Sequence, residues 1–459
     1  MNELKELVGF VSDLDFNDLP AEVKDRAKLH LMDFMANAVA GGRLEEGRRI
    51  AAHTRGLGDR EEATVLSFGF KTSCGQAALA NGTLGALLQS HDGFKHGGSH
   101  PSSSVIPTAL ALAENRRLGG KDLILAVVAG YELANRISAA IHPSHSLKGF
   151  APTGTTGTFA AAGAAGKLLN LSREELGHAL GIAGFLLPVT TYETLLGKRS
   201  ITPVHGGYAG KVGIECALLA GAGYQGAPDI LRGEFGKGFC LITSDSYKAE
   251  KLTQGLGRDF AIMETYFKPF PACRHTHGAL ELVLGWVEKE RIGREEVERV
   301  RVRTFEMAMQ FVQYTEPGAE LYECQMSIPY VLAVALWDGE LGFRQFSRQR
   351  REDPALHEFS RKVEVREDPE LTRAYPAETP ALVELVLKDG RRLEGRIDLP
   401  AGDPGNPLSK EQLTAKAREN CRDLGQERTE AFLAGVEDLE NSPDMGDLVS
   451  CLEMVSGHR

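Results

Sequence analysis

GTTGTFAAAGAAGKLLNLS, residues 154–172, is dominated by glycine, alanine and threonine, and admits two readings. It is a flexible linker, or it is a helix in an interior so crowded that only small side chains fit. Small residues let helices approach closely, so the second reading is preferred, and Ser172 followed by Glu175 makes a capping-box pattern for the next helix. Working outward, PAEVKDRAKLHLMDFMANAVAGG (20–42) repeats the helical theme. Pro20 suits a first turn, and Val23, Ala27, Leu31, Phe34, Met35 and Ala38 fall on one face. Gly41 and Gly42 stop the run. Ile106 to Glu114 reads as another helix. GAGYQG (221–226) matches the dinucleotide-binding spacing letter for letter, yet it follows a helical stretch rather than a strand. It is expected to be a helix C-cap and turn.

The period changes after about residue 295. VERVRVRTF alternates Val300, Val302 and Thr304 against Arg299, Arg301 and Arg303, the pattern of a half-buried strand. ALVELVLKDGRRLEGRIDLP (381–400) predicts two strands around a two-residue turn at Asp389-Gly390. Past AGDPGNP, Ser409 and Gln412 cap a return to helix. The order helical, mixed, helical predicts a mostly α chain. Residues 1–265 and 405–459 are expected to form one discontinuous all-helical domain, with a smaller α+β lid domain inserted at 266–404.

Composition excludes some functions. At 459 residues and 42% hydrophobic content the chain can bury a large core. A formal charge of −11 argues against generic binding to nucleic acid or an anionic membrane, so an anionic substrate would need local cations. The seven cysteines form no CxxC pair, as expected of reduced thiols. MNELKELVGFVSDLDF lacks the basic and apolar regions of a signal peptide, and no run reaches about 18 uninterrupted apolar residues. A cytoplasmic protein is expected.

Four segments carry candidate chemistry. SHDGFKHGGSHPSSSVIPTALALAE (90–114) crowds His91, Asp92, His96 and His100 into a glycine-interrupted loop before a helix. Histidine titrates near neutral pH, and glycines let backbone N–H groups approach a ligand, so an acid/base loop is favoured over a purely structural one. The spacing matches no zinc motif, and no metal is expected. KPFPACRHTHGALE (268–281) places Lys268, Cys273, Arg274, His275 and His277 before a helix, where Arg274 offers a fork for a carboxylate. GKRSITPVHGGYAGKVGIECALLA (197–220) carries Lys198, Arg199 and His205. CQMSIPYVLAVALWDG (324–339) puts Tyr330 at the head of an apolar helix.

Together these segments resemble the MmgE/PrpD family, which includes 2-methylcitrate dehydratases, cis-aconitate decarboxylases and an iminodisuccinate epimerase. The similarity runs through nearly the whole chain. It implies a helical domain with a lid, a homodimer, and cofactor-free chemistry on small polycarboxylates in the cleft between domains. His100 matches the histidine of the family's H-P step, Tyr330 the tyrosine of its S-I-P-Y block, and Cys273, Arg274 and His277 its hinge block. The chain departs from the pattern at three ionisable positions: Gln89 or Ser90 stands for the first acid before His100, Ala151 for the histidine of H-P-T, and Thr202 for a lysine. The shared chemistry is removal of a proton from carbon next to a carboxylate. On that basis His100 is expected to be the base or acid, with Tyr330 as proton-transfer partner and Asp92 or His91 orienting the loop. Arg274, with Lys198 or Arg199, is expected to clamp carboxylates, and Lys268, His277 and His205 complete the binding set. A hydro-lyase is expected, with an epimerase or isomerase as the alternative and a non-catalytic carboxylate binder as the second.

Overall fold

The computed structural model describes residues 3–311 and 315–454. Helices dominate it. The 154–172 stretch lies in the Pro152–Leu168 helix, whose residues are buried almost throughout, and Ser172 and Glu175 form the expected reciprocal caps on the Arg173–Leu186 helix. Ala21–Gly41 is one helix ending at the expected glycines, with all six expected apolar positions buried. GAGYQG does follow a helix, Val204–Gly221, as its C-cap and turn.

Small residues set the spacing of these helices. A Cβ on Gly82, in the Cys74–Ala86 helix, would lie 2.4 Å from the Gly207 Cα of the Val204–Gly221 helix. The two backbones touch there, which no larger residue permits. The Gly120–Ile141 helix is long and apolar enough to cross a membrane by composition alone, but 89% of its most apolar window is buried inside the protein.

The buried apolar side chains fall into two main clusters. One draws on Leu4 to Phe267 and then on Leu413 to Leu452; the other draws on Ala272 to Leu387. The second packs the His277–Glu290 and Ile328–Asp338 helices against a four-stranded sheet. Val297–Thr304 pairs parallel with Val363–Glu367 on one side and antiparallel with Ala381–Leu387 on the other, and Arg392–Ile397 completes the sheet beyond Ala381–Leu387. Val300 and Val302 point into the core, while Arg301 and Arg303 pair with Glu384 and Asp368 on the open face.

The hairpin turn differs from expectation. Leu387 N–H donates to the Arg391 carbonyl, enclosing three residues rather than two. Only Gly390 takes a positive φ, 89°, so the loop is a turn closed by a glycine bulge; a two-residue type I′ turn needs positive φ at both central positions.

Gly82→Ala is expected to destabilise the protein by about 1–3 kcal/mol through overpacking. Urea unfolding measures this, and a wild-type midpoint would show that the helices can separate without loss.

Candidate active site

A cleft of about 100 Å³ lies between residues from Gln89 to His205 on one side and from Tyr266 to Thr379 on the other. Three long helices begin at its wall. His100 stands just before the Ser102–Arg116 helix, Pro152 and Thr153 open the Pro152–Leu168 helix, and His205 lies in the first turn of Val204–Gly221. Helix N-termini carry unpaired N–H groups and partial positive potential, which favour anions. Lys268, Arg274 and Lys95 add cations to the lining, Lys95 paired at 3.0 Å with the buried Asp403 behind it and Arg274 4.0 Å from the same carboxylate, and His142 and His275 add imidazoles. Among the described residues, no aspartate or glutamate lines the cleft.

The His100 ring has a defined tautomer. Its Nδ1 lies 2.5 Å from the Asp92 carbonyl, which can only accept, so Nδ1 carries the proton and Nε2 is left as an acceptor. Burial, reinforced by the Lys268 charge, pushes the His100 pKa down to about 3. Burial likewise holds His142 and His205 at about 4 and His275 at about 3. The empty cleft therefore presents neutral imidazoles. Both ring nitrogens of His142 and the Nδ1 atoms of His205 and His275 are buried without hydrogen-bond partners. Lys268 is fully buried, donates to the Gln89 carbonyl at 3.0 Å, and has its pKa lowered to about 8, chiefly by burial.

Asp92 sits behind the wall rather than in it. Its carboxylate accepts from the Ser102 hydroxyl at 2.6 Å, the Ser102 N–H at 3.2 Å and the Tyr131 hydroxyl at 2.6 Å, with His30 Nδ1 3.2 Å away. Burial alone would raise its pKa, but these partners outweigh it and hold the carboxyl below its ordinary value. His91 is also behind the wall, its ring 4.7 Å from that of His100 and both nitrogens without partners. Burial pushes its pKa well down.

Of the ten residues singled out from sequence, His100, Lys268, Arg274 and His205 line the cleft. Tyr330 does not. Its hydroxyl donates to the Gln345 carbonyl at 2.8 Å inside the second apolar cluster, so the expected partnership with His100 across one substrate has no geometric support. His277 points away too, its Nε2 donating to the Ala272 carbonyl at 3.2 Å. Lys198 is buried outside the lining and Arg199 is exposed. Arg274 lines the cleft, but its Nη atoms already donate to the Ala401 and Pro400 carbonyls at 2.8 Å, leaving Nε without a partner. It straps the cleft to the 400–403 loop as well as charging it. The Cys273 thiol is pushed up by burial, which does not favour a nucleophile. The sequence reading missed His142 and four lining tyrosines, Tyr192, Tyr266, Tyr322 and Tyr375. His275 lay in a quoted cluster but was not chosen. No group of three or more His, Cys, Asp or Glu side chains is arranged to hold a metal ion among the described residues.

A mainly helical chain enclosing a cation-rich cleft at the N-termini of several helices has the makings of an enzyme for small anions. Family profiles define the class: the MmgE/PrpD N-terminal domain matches residues 5–250 and the MmgE/PrpD C-terminal domain residues 270–441. The chain belongs to the MmgE/PrpD family. It is 28% identical to the cis-aconitate decarboxylase of Mus musculus, over 98% of this chain and 93% of that protein. Similarity to the cis-aconitate decarboxylase of Aspergillus terreus is 25% over 97% of this chain and 95% of that one. A mitochondrial 2-methylcitrate dehydratase of Yarrowia lipolytica is 26% identical over 55% of this chain and 51% of its own length.

Tyr330→Phe removes one buried hydrogen bond and keeps the ring. It is expected to cost about 1 kcal/mol of stability and leave turnover intact. A large loss of turnover at unchanged melting temperature would return Tyr330 to the site.

Proposed function

We propose that this chain is a lyase that removes a proton from the carbon beside a carboxylate of a small polycarboxylate, with elimination of a β-hydroxyl. The observation that carries this reading is the cleft lining: among the described residues it holds Lys268, Lys95 and Arg274 and no carboxylate, with the one acid beside Lys95 and Arg274, Asp403, set behind the wall, inside a chain of net charge −11. Such a lining stabilises a polyanion in a place where the rest of the surface repels it.

Lys268, turning from the Gln89 carbonyl, pairs with one substrate carboxylate, and the N-terminus of the Pro152–Leu168 helix at Thr153 receives another. A bound anion raises the pKa of a neighbouring imidazole, so His100 gains basicity once the substrate is in place. Its Nε2 takes the α-proton while Nδ1–H stays on the Asp92 carbonyl. The charge that develops on the substrate carboxylate is stabilised by Lys268. Burial pushes the Tyr322 and Tyr375 pKa values up, so both hydroxyls remain protonated donors, and one of them protonates the departing hydroxide. Decarboxylation is the second reading, because the relatives that align along 97–98% of this chain are named cis-aconitate decarboxylases. The same cationic lining would stabilise the carbanion left by loss of carbon dioxide.

Incubation with hydroxy- and unsaturated tricarboxylates in deuterated water, with chelator present, tests the reading. Alkene formation from a hydroxy acid, with exchange of the α-proton, supports the dehydratase; carbon dioxide release supports the decarboxylase; exchange with retained skeleton indicates an epimerase. His100→Gln is expected to lower turnover by about 10²–10⁴ with an unchanged melting temperature. No exchange or conversion with any acid that binds would overturn the lyase.

Affinity should also titrate. The protonated form of Lys268 pairs with a carboxylate, so binding is expected to hold below about pH 8. Above it, binding should weaken by about tenfold per pH unit as the empty enzyme loses that proton. Calorimetric titration with a bound tricarboxylate reads this, and a flat affinity between pH 7 and 9.5 would remove Lys268 from the carboxylate site.

A further inference from the structure

The Lys410–Asn420 helix lies along the Ala21–Gly41 helix and joins it by two polar rungs. Asn420 Nδ2 donates to Asn37 Oδ1 at 3.0 Å, and Lys416 Nζ donates to Asp33 Oδ1 at 2.6 Å. Residues 416 and 420, like 33 and 37, are four apart and share a helix face. Lys416 does more than its rung requires. Its Nζ also donates to the Ser90 carbonyl at 2.6 Å.

Ser90 belongs to the turn that shapes the site. Gln89 holds a positive φ of 53°, a conformation that a non-glycine residue keeps only where its surroundings enforce it. The Gln89 carbonyl receives Lys268, the next carbonyl receives Lys416, and the Asp92 carbonyl holds His100 in its tautomer. Lys416 itself does not line the cleft. Resting on the reading of His100 as base and Lys268 as carboxylate partner, we infer that Lys416 is a positioning residue: from the far end of the chain it fixes the Gln89–Asp92 turn on which both groups depend. Its charge acts on the site as well. Lys268 is depressed first by burial; Cys273 and Asp92 pull its pKa up, while Arg274 and Lys416 push it further down.

Lys416→Met keeps the apolar stem and removes donor and charge. Turnover is expected to fall about ten- to a hundredfold, as a small misplacement of reacting groups costs. The alkaline limb of the pH–rate profile should move to higher pH, because Lys268 loses a repelling neighbour. Lys416→Arg should recover most of the turnover. Asn420→Ala breaks the other rung, and is expected to lower the melting temperature while leaving turnover and the limb unchanged. A readout that needs no substrate is the pH dependence of reductive methylation at Lys268, followed by peptide mass spectrometry. Its midpoint should lie near 8 in the wild type and higher in Lys416→Met. Wild-type turnover together with an unmoved methylation midpoint overturns the inference, even in a less stable variant. If Lys416→Met does not fold, Lys416→Gln, which removes the charge, carries the methylation readout, and a midpoint unmoved from the wild type overturns the inference. A wild-type enzyme that converts no acid counts against the lyase instead, and the methylation midpoint still decides the role of Lys416.

Discussion

A carboxylate buried in an apolar interior persists only if nearly all of its acceptor capacity is filled. Asp92 meets that demand at the junction of three separate helices, two of which supply hydrogen-bond donors. Ser102 comes from the start of the Ser102–Arg116 helix, Tyr131 from the middle of Gly120–Ile141, and His30 from Ala21–Gly41. His30 stacks in turn on Phe267 at 4.3 Å, on the segment that leaves the helical body for the sheet. The backbone of the same aspartate holds His100. The position of the His100 imidazole is thus tied to the packing of the helical core rather than to the loop that carries it.

The architecture was legible because its signals are local and repeated. Caps at Ser172 and Ser409 are pairs of residues three apart, and the valine–arginine alternation at 299–304 needs only a few residues to declare a strand. The hairpin loop was misjudged by one residue, since Asp389-Gly390 is compatible with both a two-residue turn and a longer one closed by the same glycine.

The site was legible in part. His100 does line the cleft, and a histidine amid glycines is a local signal that the sequence displays. Tyr330 was misplaced because the Ile328–Asp338 helix is buried for most of its length, and such a helix gives no pattern to say which face looks onto a cleft. Lys198 takes a positive φ of 53° and lies outside the lining, and nothing in its neighbours announces either. His142 lies at the end of a long core helix, where a lone histidine has no distinguishing context. Lys268 and Lys416 are 148 positions apart in number, yet they bond to adjacent carbonyls. Only the folded chain shows that.

The first apolar cluster is built from both flanks of the sheet-bearing segment. Chains emerge from the ribosome from the N-terminus onward, at about 5–20 residues per second. By the time Lys410–Asn420 appears, the sheet and its helices have already been made. Until then, the groove along Ala21–Gly41 lacks its covering helix, and Asp33 lacks its lysine. The vectorial order of synthesis therefore supplies the Lys416 anchor of the Gln89–Asp92 turn near its end. A nascent chain stalled before residue 416 would carry every group that lines the cleft and still lack the anchor for Ser90.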